Sequence, residues 1–519
     1  MKMILPEKTL SLVLITILII SATGIWWGLP NHVSWSSDDI GGPLTLGHIY
    51  HGLSNSYRNP PFHFVINAAF YSPYLAYLYF TGSIQSPTSV FPYGFAEPIA
   101  SMTVLHLITR AINLVMAVGT AFFVYLISME IFKNRRAALL SSLLMGLCPL
   151  FVMLSKIGRL DVPMVFYATV SLYFMVRILR GEKERDYVLF GLFMAFAVAT
   201  KLQAISLYAI LLPVLLYFHM RRNKSLMVSL KDRRLLLMIT VFLVTSLFAH
   251  NLFDVSENIF RFEYWTHGYG LVGYAEFQNT VEGHLMLLSK TINTLAASMG
   301  MASLLAAAGG IIIALRKGVQ TRFVLLLLAI VVIQYIFLFD HLGFVLQRYI
   351  LLMLVPLSVM GGWFLSWMWE GDRIRKGVVI FILLFSLSQA VATDHLMLND
   401  SRYHAEHWIE LNVPKDAEIE LYLETLTEMP RLDVMGYTNI NRMEMNRETM
   451  NTLQERGPDY VLMRPLTYRT SDHEKNFYSL IVGGKLGYLV EKRFKSSSFL
   501  FPDVYPNYVN PEIIILKKA

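Results

Sequence analysis

Residues 9–43 read TLSLVLITILIISATGIWWGLPNHVSWSSDDIGGP, an apolar run over residues 9–29 followed by a short polar loop. The run has the roughly 20 residues that a helix needs to cross the hydrocarbon core of a membrane. No small-residue cleavage site follows it and more apolar runs come later, so we expect a retained helix rather than a signal peptide. Two adjacent acids, Asp38 and Asp39, lie just beyond the run and precede a Gly-Gly-Pro turn.

The composition extends this prediction to the whole chain. Of its 519 residues, 55% are hydrophobic and 16% are charged, whereas soluble proteins average about 25% charged residues. Apolar runs of roughly 17 to 25 residues recur, and from them we predict an α-helical, multi-pass membrane protein with about eleven transmembrane helices. The predicted spans are residues 9–29, 101–132, 137–154, 162–178, 187–200, 203–219, 235–252, 291–315, 323–339, 345–369 and 377–393.

The basic residues predict the orientation of the chain. The net charge of +7 comes from short clusters between apolar runs, so nucleic acid is not an expected partner. The clusters lie at residues 133–136, 177–185, 221–234, 316–322 and 373–376. Each follows an even number of predicted spans, and the positive-inside rule places them, with the N-terminus, in the cytoplasm. We therefore expect a cell-membrane protein whose long loops and C-terminal segment are extracytoplasmic.

Two extracytoplasmic segments are more than linkers. The first outer loop, residues 30–100, is rich in aromatic residues, and its residues 61–80 are apolar enough to lie along the membrane interface. From residue 394 the composition becomes that of a soluble domain with one amphipathic helix. Strand-like runs follow at residues 418–423, 460–463, 488–494 and 513–516. We predict a transmembrane catalytic domain of residues 1–393 and a small α/β domain of residues 394–519.

Three acids are candidates for catalysis. Asp38 and Asp39 lie in the first outer loop, and Asp161 lies in the next short outer loop, two residues before a proline. A solvated turn would explain the pair, and a helix N-cap would explain Asp161. All three are predicted at one face and at a similar depth, so their carboxylates could converge. They would then supply a general base, or bind a divalent cation such as Mg²⁺ or Mn²⁺ through Asp38 and Asp161.

Cations are predicted at the same face. Lys201 ends one apolar run, Arg348 begins another, and Arg159 lies two residues before Asp161. Snorkelling of a long side chain at a helix end would explain Lys201 and Arg348 equally well. The functional alternative is a binding site for a phosphate held at the membrane surface.

Other familiar sites are missing from the sequence. His48, His51 and His63 match no zinc-ligand spacing. The chain has no glycine-rich phosphate loop, dinucleotide fingerprint or nucleophile elbow, which disfavours nucleotide-driven chemistry. Cys148 is the only cysteine, so no internal disulfide is possible.

Several short motifs occur in an order that resembles one superfamily of membrane enzymes. They are Asp38-Asp39, Asn59-Pro-Pro-Phe-His-Phe, Arg159-Leu-Asp-Val-Pro-Met, Ala199-Thr-Lys-Leu-Gln-Ala and Arg348-Tyr-Ile-Leu. With the C-terminal stretch from His404 to Pro414, they are similar to motifs of the GT-C superfamily of integral-membrane glycosyltransferases. The resemblance is to prokaryotic relatives of dolichyl-phosphate-mannose protein mannosyltransferases and of the lipid A aminoarabinose transferase. Many relatives have Glu where this chain has Asp39, so which acid is the base stays open.

The resemblance implies a GT-C fold and transfer of a sugar from a polyprenyl phosphate, with inversion at the anomeric carbon. The acceptor would be a glycan, lipid or protein at the outer face of the membrane. Asp38 or Asp39 would be the general base, with Asp161 as the third acid of the site. The donor phosphate would be held by Lys201, Arg348, Tyr349 and Arg159.

Two other classes of function are alternatives. A lipid or solute transporter or flippase typically has inverted repeats and polar groups near the membrane midplane. The charged candidates of this chain are instead predicted at one face of the membrane. A structural membrane subunit would instead use the C-terminal segment to bind partners. The one-sided clustering of charge favours the enzyme.

Overall fold

A computed structural model describes residues 4–36, 38–50, 60–88, 90–181, 183–249, 277, 280–337, 343–422, 428–443, 450–466, 471–497 and 509–519. The chain divides into two compact units. The helical unit contains Met1–Thr23, Leu44–Tyr77 and Ile108–Val391, and the sheet unit contains Gly24–Pro43, Leu78–Leu107 and Ala392–Ala519. The sheet unit thus combines the C-terminal segment with two pieces of sequence near the first outer loop. The division of the sequence at residue 393 stays a prediction.

Helices account for most of the described structure up to residue 398, since in lipid a helix satisfies its own backbone hydrogen bonds. They are α1 (Ile4–Ala22), α2 (Pro43–Tyr50), α3 (Phe62–Phe80), α4 (Pro98–Phe132), α5 (Arg135–Gly146), α6 (Pro149–Ser155), α7 (Asp161–Gly181), α8 (Glu184–Thr200), α9 (Ile205–Asn223), α10 (Leu226–Leu230), α11 (Arg233–Ala249), α12 (Val281–Met299), α13 (Met301–Arg316), α14 (Thr321–Tyr335), α15 (Leu351–Trp369) and α16 (Arg373–Leu398). Short 3₁₀ helices precede α9 (Leu202–Ala204) and α15 (Gln347–Ile350).

The predicted helical membrane fold is confirmed, but the number of spans is not. Among the described residues, five helices are long and apolar enough to cross a membrane, or up to seven if each of two sharply bent helix pairs is one span. Two shorter apolar helices lie at Lys8–Ala22 and Thr321–Tyr335. The prediction of about eleven spans counted every apolar run of suitable length.

Three predicted spans have wrong boundaries. The run at 137–154 is two helices, α5 and α6, bent by 64° where Pro149 starts a new helix. The run at 291–315 is also two helices, α12 and α13, bent by 111° at Gly300. The first helix ends at Ala22, earlier than the apolar run that predicted it. In each case apolar composition continues through a backbone break that hydropathy does not detect.

Two helices form the core of the helical unit. In the most apolar stretch of α7, 83% of the residues are buried inside the protein. In that of Gln347–Trp369, which includes α15, the buried share is 89%. The α15 helix packs against α5 and α13, and α7 packs against α8. Gly362 of α15 lies directly against Ser141 of α5, and Gly310 of α13 lies against the Met360 carbonyl. Small residues at such contacts let helix backbones approach closely.

The sheet unit contains a five-stranded mixed sheet. Its strands are β1 (Ile419–Tyr422), β2 (Ile440–Met443), β3 (Tyr460–Met463), β4 (Tyr488–Phe494) and β5 (Ile513–Lys518), in the order β2-β1-β3-β5-β4. The first three are parallel, and β5 is antiparallel to both of its neighbours. Its helices are α17 (Ser401–Asn412), α18 (Met450–Arg456) and α19 (Asp472–Val482).

The sheet has an apolar core on each face, because successive side chains along a strand point to opposite faces of the sheet. Ile419, Leu462 and Ile515 pack with α17 on one face, and Val461 and Ile514 pack with α19 on the other. The sequence predicted β1, β3, β4, β5 and the amphipathic helix α17, and these are confirmed. It did not predict β2, α18 or α19.

We predict that Gly300→Ala lowers the melting temperature of the purified protein. Gly300 has φ +85°, and a Cβ there would overlap the side-chain oxygen of Gln389. Backbone strain of this kind costs about 1–3 kcal/mol, and the overlap adds to it. Gly318 is the matched control, since it has φ +63° and no described atom lies within 4 Å of the place that a Cβ would take. Thermal unfolding in detergent measures both, and equal shifts would contradict the packing argument.

Candidate active site

An ion pair joins the start of α7 to the end of α8. Lys201 Nζ donates to Asp161 Oδ1 at 2.6 Å, and the side chains of Lys201 and Asp161 are only 13% and 3% exposed. Lys201 follows the last residue of α8 in an extended conformation, while Asp161 is the first residue of α7. The sequence predicted that these two residues share a face, and the structure brings them into contact.

Two arginines and a tyrosine complete a cluster around this pair. The charges of Arg348 and Arg159 act on Asp161 together with that of Lys201. Lys201 Nζ lies 5.6 Å from the ring centroid of Tyr349, and Arg348 Cζ lies 5.8 Å from it. We call these five residues the cation cluster. Three positive charges against one negative charge give it a net charge of +2, so it can bind an anion.

The loop before Asp161 is held by two polar residues that the sequence did not single out as site residues. Asn113 of α4 donates to the carbonyls of Ile157 and Arg159 at 2.7 and 2.8 Å. Lys156, fully buried, donates to the carbonyls of Ile20 and Thr23 at the end of α1. A lysine at a helix C-terminus satisfies carbonyls that lack helical partners. A polar residue inside an apolar helix, such as Asn113, is the signal that could have revealed this support.

The acid pair lies in the sheet unit, and its two members have different surroundings. Asp39 is buried: its backbone N–H donates to Ser36 O at 3.0 Å, and its Oδ1 accepts from Gly41 N at 2.8 Å. His106 Nδ1 lies 3.6 Å from the same Oδ1. A Cβ on Gly41 would come within 2.5 Å of His106 Nδ1, so the turn fits closely against this histidine. Asp38 is exposed.

The structure therefore brings the predicted residues together in two groups. Asp161, Lys201, Arg348, Tyr349 and Arg159 form the cation cluster of the helical unit. Asp38 and Asp39 share one turn of the sheet unit, backed by His106, which the sequence did not single out. Convergence of all three acids in one pocket stays a prediction.

Metal binding by these acids finds no support among the described residues. Within the described ranges there is no group of three or more His, Cys, Asp or Glu side chains that could hold a metal ion. Asp161 already accepts a hydrogen bond from an ammonium group in a net-positive cluster. A divalent cation held by Asp38 and Asp161 therefore stays a prediction from the sequence. His51 lies outside the described residues, and His63 is fully buried in α3.

Comparison with known proteins agrees with this fold. Residues 103–249 match the family described as dolichyl-phosphate-mannose-protein mannosyltransferase. A search of curated proteins gives no match. ArnT from Cupriavidus metallidurans bound to undecaprenyl phosphate is similar over 97% of both chains, with 12% identity and a TM-score of 0.52. The same protein in the apo state is similar over 96% of this chain and 97% of that chain, with 14% identity and a TM-score of 0.50.

The archaeal oligosaccharyltransferase AglB from Archaeoglobus fulgidus is more distant. It is similar over 88% of this chain and 69% of its own, with 12% identity and a TM-score of 0.47, which is too low to add to the assignment. At the identities of the ArnT structures, structural likeness establishes the fold, and the family match over residues 103–249 agrees with it. The chain therefore has the fold of ArnT, and one segment of it, residues 103–249, matches a family of mannosyltransferases.

Proposed function

We propose that this protein transfers a sugar from a polyprenyl phosphate to an acceptor at the outer face of the membrane. The observation that carries the proposal is the cation cluster, in which Lys201 contacts Asp161 and the charges of Arg348 and Arg159 also act on that carboxylate. ArnT, which has the same fold, is known bound to undecaprenyl phosphate. A lipid phosphate of this class has the charge that the cluster would attract.

The position of the cluster along the helices supports a lipid-linked donor. Lys201 follows the end of α8, Asp161 begins α7, and Arg348 lies in the 3₁₀ helix before α15. A polyprenyl phosphate keeps its chain in the lipid and holds its phosphate at the headgroup level, so its ligands belong at helix ends. Negative charge grows on the phosphate as the sugar leaves, and preorganised cations stabilise that charge better than water does.

We assign the general base to Asp38, because its carboxylate is exposed whereas that of Asp39 is buried in its own turn. Asp38 removes the proton from the acceptor hydroxyl while the hydroxyl oxygen bonds to the anomeric carbon. The bond from that carbon to the phosphate oxygen breaks, and the configuration inverts. General-base catalysis contributes roughly 10² to 10⁴ in rate. Asp39 stabilises the turn, because its carboxylate accepts a hydrogen bond from the Gly41 N–H.

Asp161 has a positioning role in this mechanism, since its ion pair orients the Lys201 ammonium. A divalent cation between Asp38 and Asp161 is a separate proposal, and no step of the mechanism depends on it. If sugar transfer continues in the presence of a strong chelator, the metal proposal is refuted and the rest of the mechanism is unaffected. The acceptor, a glycan, lipid or protein, is proposed only as a carrier of a nucleophilic hydroxyl group.

We predict that Asp38→Asn abolishes sugar transfer, with a loss on the order of 10² or more. The melting temperature should change little, because Asp38 is an exposed residue and interactions of exposed charges contribute little to stability. Asp39→Asn should keep measurable transfer, since the amide oxygen still accepts the Gly41 N–H. Release of labelled sugar from a polyprenyl phosphate donor, in liposomes, measures both variants. An active Asp38→Asn beside an inactive Asp39→Asn would reassign the base.

We also predict that Lys201→Met raises the KM for the lipid donor about tenfold, the effect expected when one charge-assisted hydrogen bond is lost. Lys201→Arg should retain part of the affinity because it keeps the charge. Lys317→Met is the matched control: Lys317 also follows a helix end and lies 4.7 Å from an aromatic ring, that of Trp367. If Lys317→Met raised the KM as much as Lys201→Met does, the phosphate assignment would be wrong.

A further inference from the structure

Within the sheet unit, the loop that leads to the acid pair is enclosed by side chains of the C-terminal segment. Arg402 of α17 is 1% exposed. Its Cζ lies 4.1 Å from the ring centroid of Trp35 and 5.1 Å from that of Trp27. A guanidinium within about 6 Å of an indole face is attracted by the ring electrons, and the attraction is stronger when the contact is desolvated. The loop is therefore attached to α17 by two aromatic contacts to a single side chain.

Arg402 is itself fixed by a buried carboxylate. Its Nε and Nη2 donate to the two oxygens of Asp400 at 2.9 and 2.7 Å. Asp400 also accepts from Trp27 Nε1 at 3.1 Å and from Asn510 N at 2.8 Å. A buried ion pair is stable only when further hydrogen bonds satisfy its remaining lone pairs, and this one meets that condition. The guanidinium therefore has one fixed orientation.

The same loop has a second attachment to the C-terminal segment. Arg431 lies with its Cζ 5.0 Å from the Trp35 ring and donates to Pro30 O at 3.2 Å. It forms a two-point ion pair with Glu406 of α17. Trp35 thus contacts two arginines, each of which is paired with a carboxylate of the C-terminal segment.

Trp35 lies immediately before the turn that bears the acids. The Arg402 Nη1 is 3.5 Å from the Trp35 carbonyl oxygen. The next residue, Ser36, accepts the backbone hydrogen bond from Asp39 that closes the turn. A shift of Trp35 would therefore move both Asp38 and Asp39. Gly28, with φ +71°, also fits closely against the Trp35 ring, which a Cβ at this position would overlap.

From these contacts we infer that Arg402 is a positioning residue for the general base: it holds Trp35, and through Trp35 it sets the place of Asp38. This inference rests on the proposed function. Under this inference the C-terminal segment takes part in the reaction by positioning the acid turn. The alternative of a structural subunit would instead use that segment to bind a partner. Lysine cannot replace Arg402, since it has neither a planar fork nor a flat face to stack on indole.

The first experiment compares Arg402→Lys with a matched control. Arg456 also makes a two-point ion pair with a buried carboxylate of the same unit, Glu420. Arg402→Lys should lower kcat on the order of 10- to 100-fold, as expected for a base displaced by about 1 Å, and leave the KM for the lipid donor unchanged. Arg456→Lys should leave kcat unchanged even if its melting temperature falls. An unchanged kcat in Arg402→Lys, or an equal loss in both variants, would overturn the inference.

A second measurement does not depend on catalysis. Cys148 is the only cysteine and is buried, so Cys148→Ser provides a background for one spin label at Asp38→Cys. Electron paramagnetic resonance should show higher mobility of the label in Arg402→Lys than in Arg456→Lys. If the mobility rises but the wild type transfers no sugar from a polyprenyl phosphate, the proposed function fails and the attachment stands. If the mobility is the same in both variants, the attachment is refuted.

Discussion

The ion pair between Lys201 and Asp161 is the interaction on which the proposed site depends. A charge in the hydrocarbon core is expensive, so membrane proteins keep charged side chains at helix ends and pair them. Here the first residue of α7 and the residue after α8 meet at 2.6 Å. Because two more cations act on the same carboxylate, the cluster keeps an excess of positive charge after the pair has formed. That excess is what makes a phosphate a suitable ligand.

The acid turn is organised by a different principle. The loop that leads to its carboxylates contacts aromatic and charged side chains of the C-terminal segment. Trp27 and Trp35 contact residues that follow them by more than 360 positions in the sequence. The match of residues 103–249 to a mannosyltransferase family favours an enzyme over the transporter alternative. The buried, charge-paired contacts of the C-terminal segment likewise favour a role at the acid turn.

The sequence predicted those features that have a local pattern. Apolar runs predicted most helices, and short strand-like runs predicted β3 and β4 with their observed limits. The break at Gly300 was missed because hydropathy continues through it, and β2 and α18 were missed because they are short and polar. The helix α19 was missed although Ser471 and Glu474 form a capping box at its start, which is a local signal in the sequence. The residues Asn113, Lys156, His106 and Arg402 were missed for another reason. Each acts on a partner remote in sequence, and no local spacing identifies such a partner.

The most direct test of the central claim is a cryo-electron microscopy structure of the protein with a bound polyprenyl phosphate. The account predicts that phosphate oxygens lie about 3 Å from Lys201 Nζ and from the Arg348 guanidinium, the distance of charge-assisted hydrogen bonds. The isoprenoid chain should lie among the apolar helices. A phosphate bound away from both cations would contradict the account.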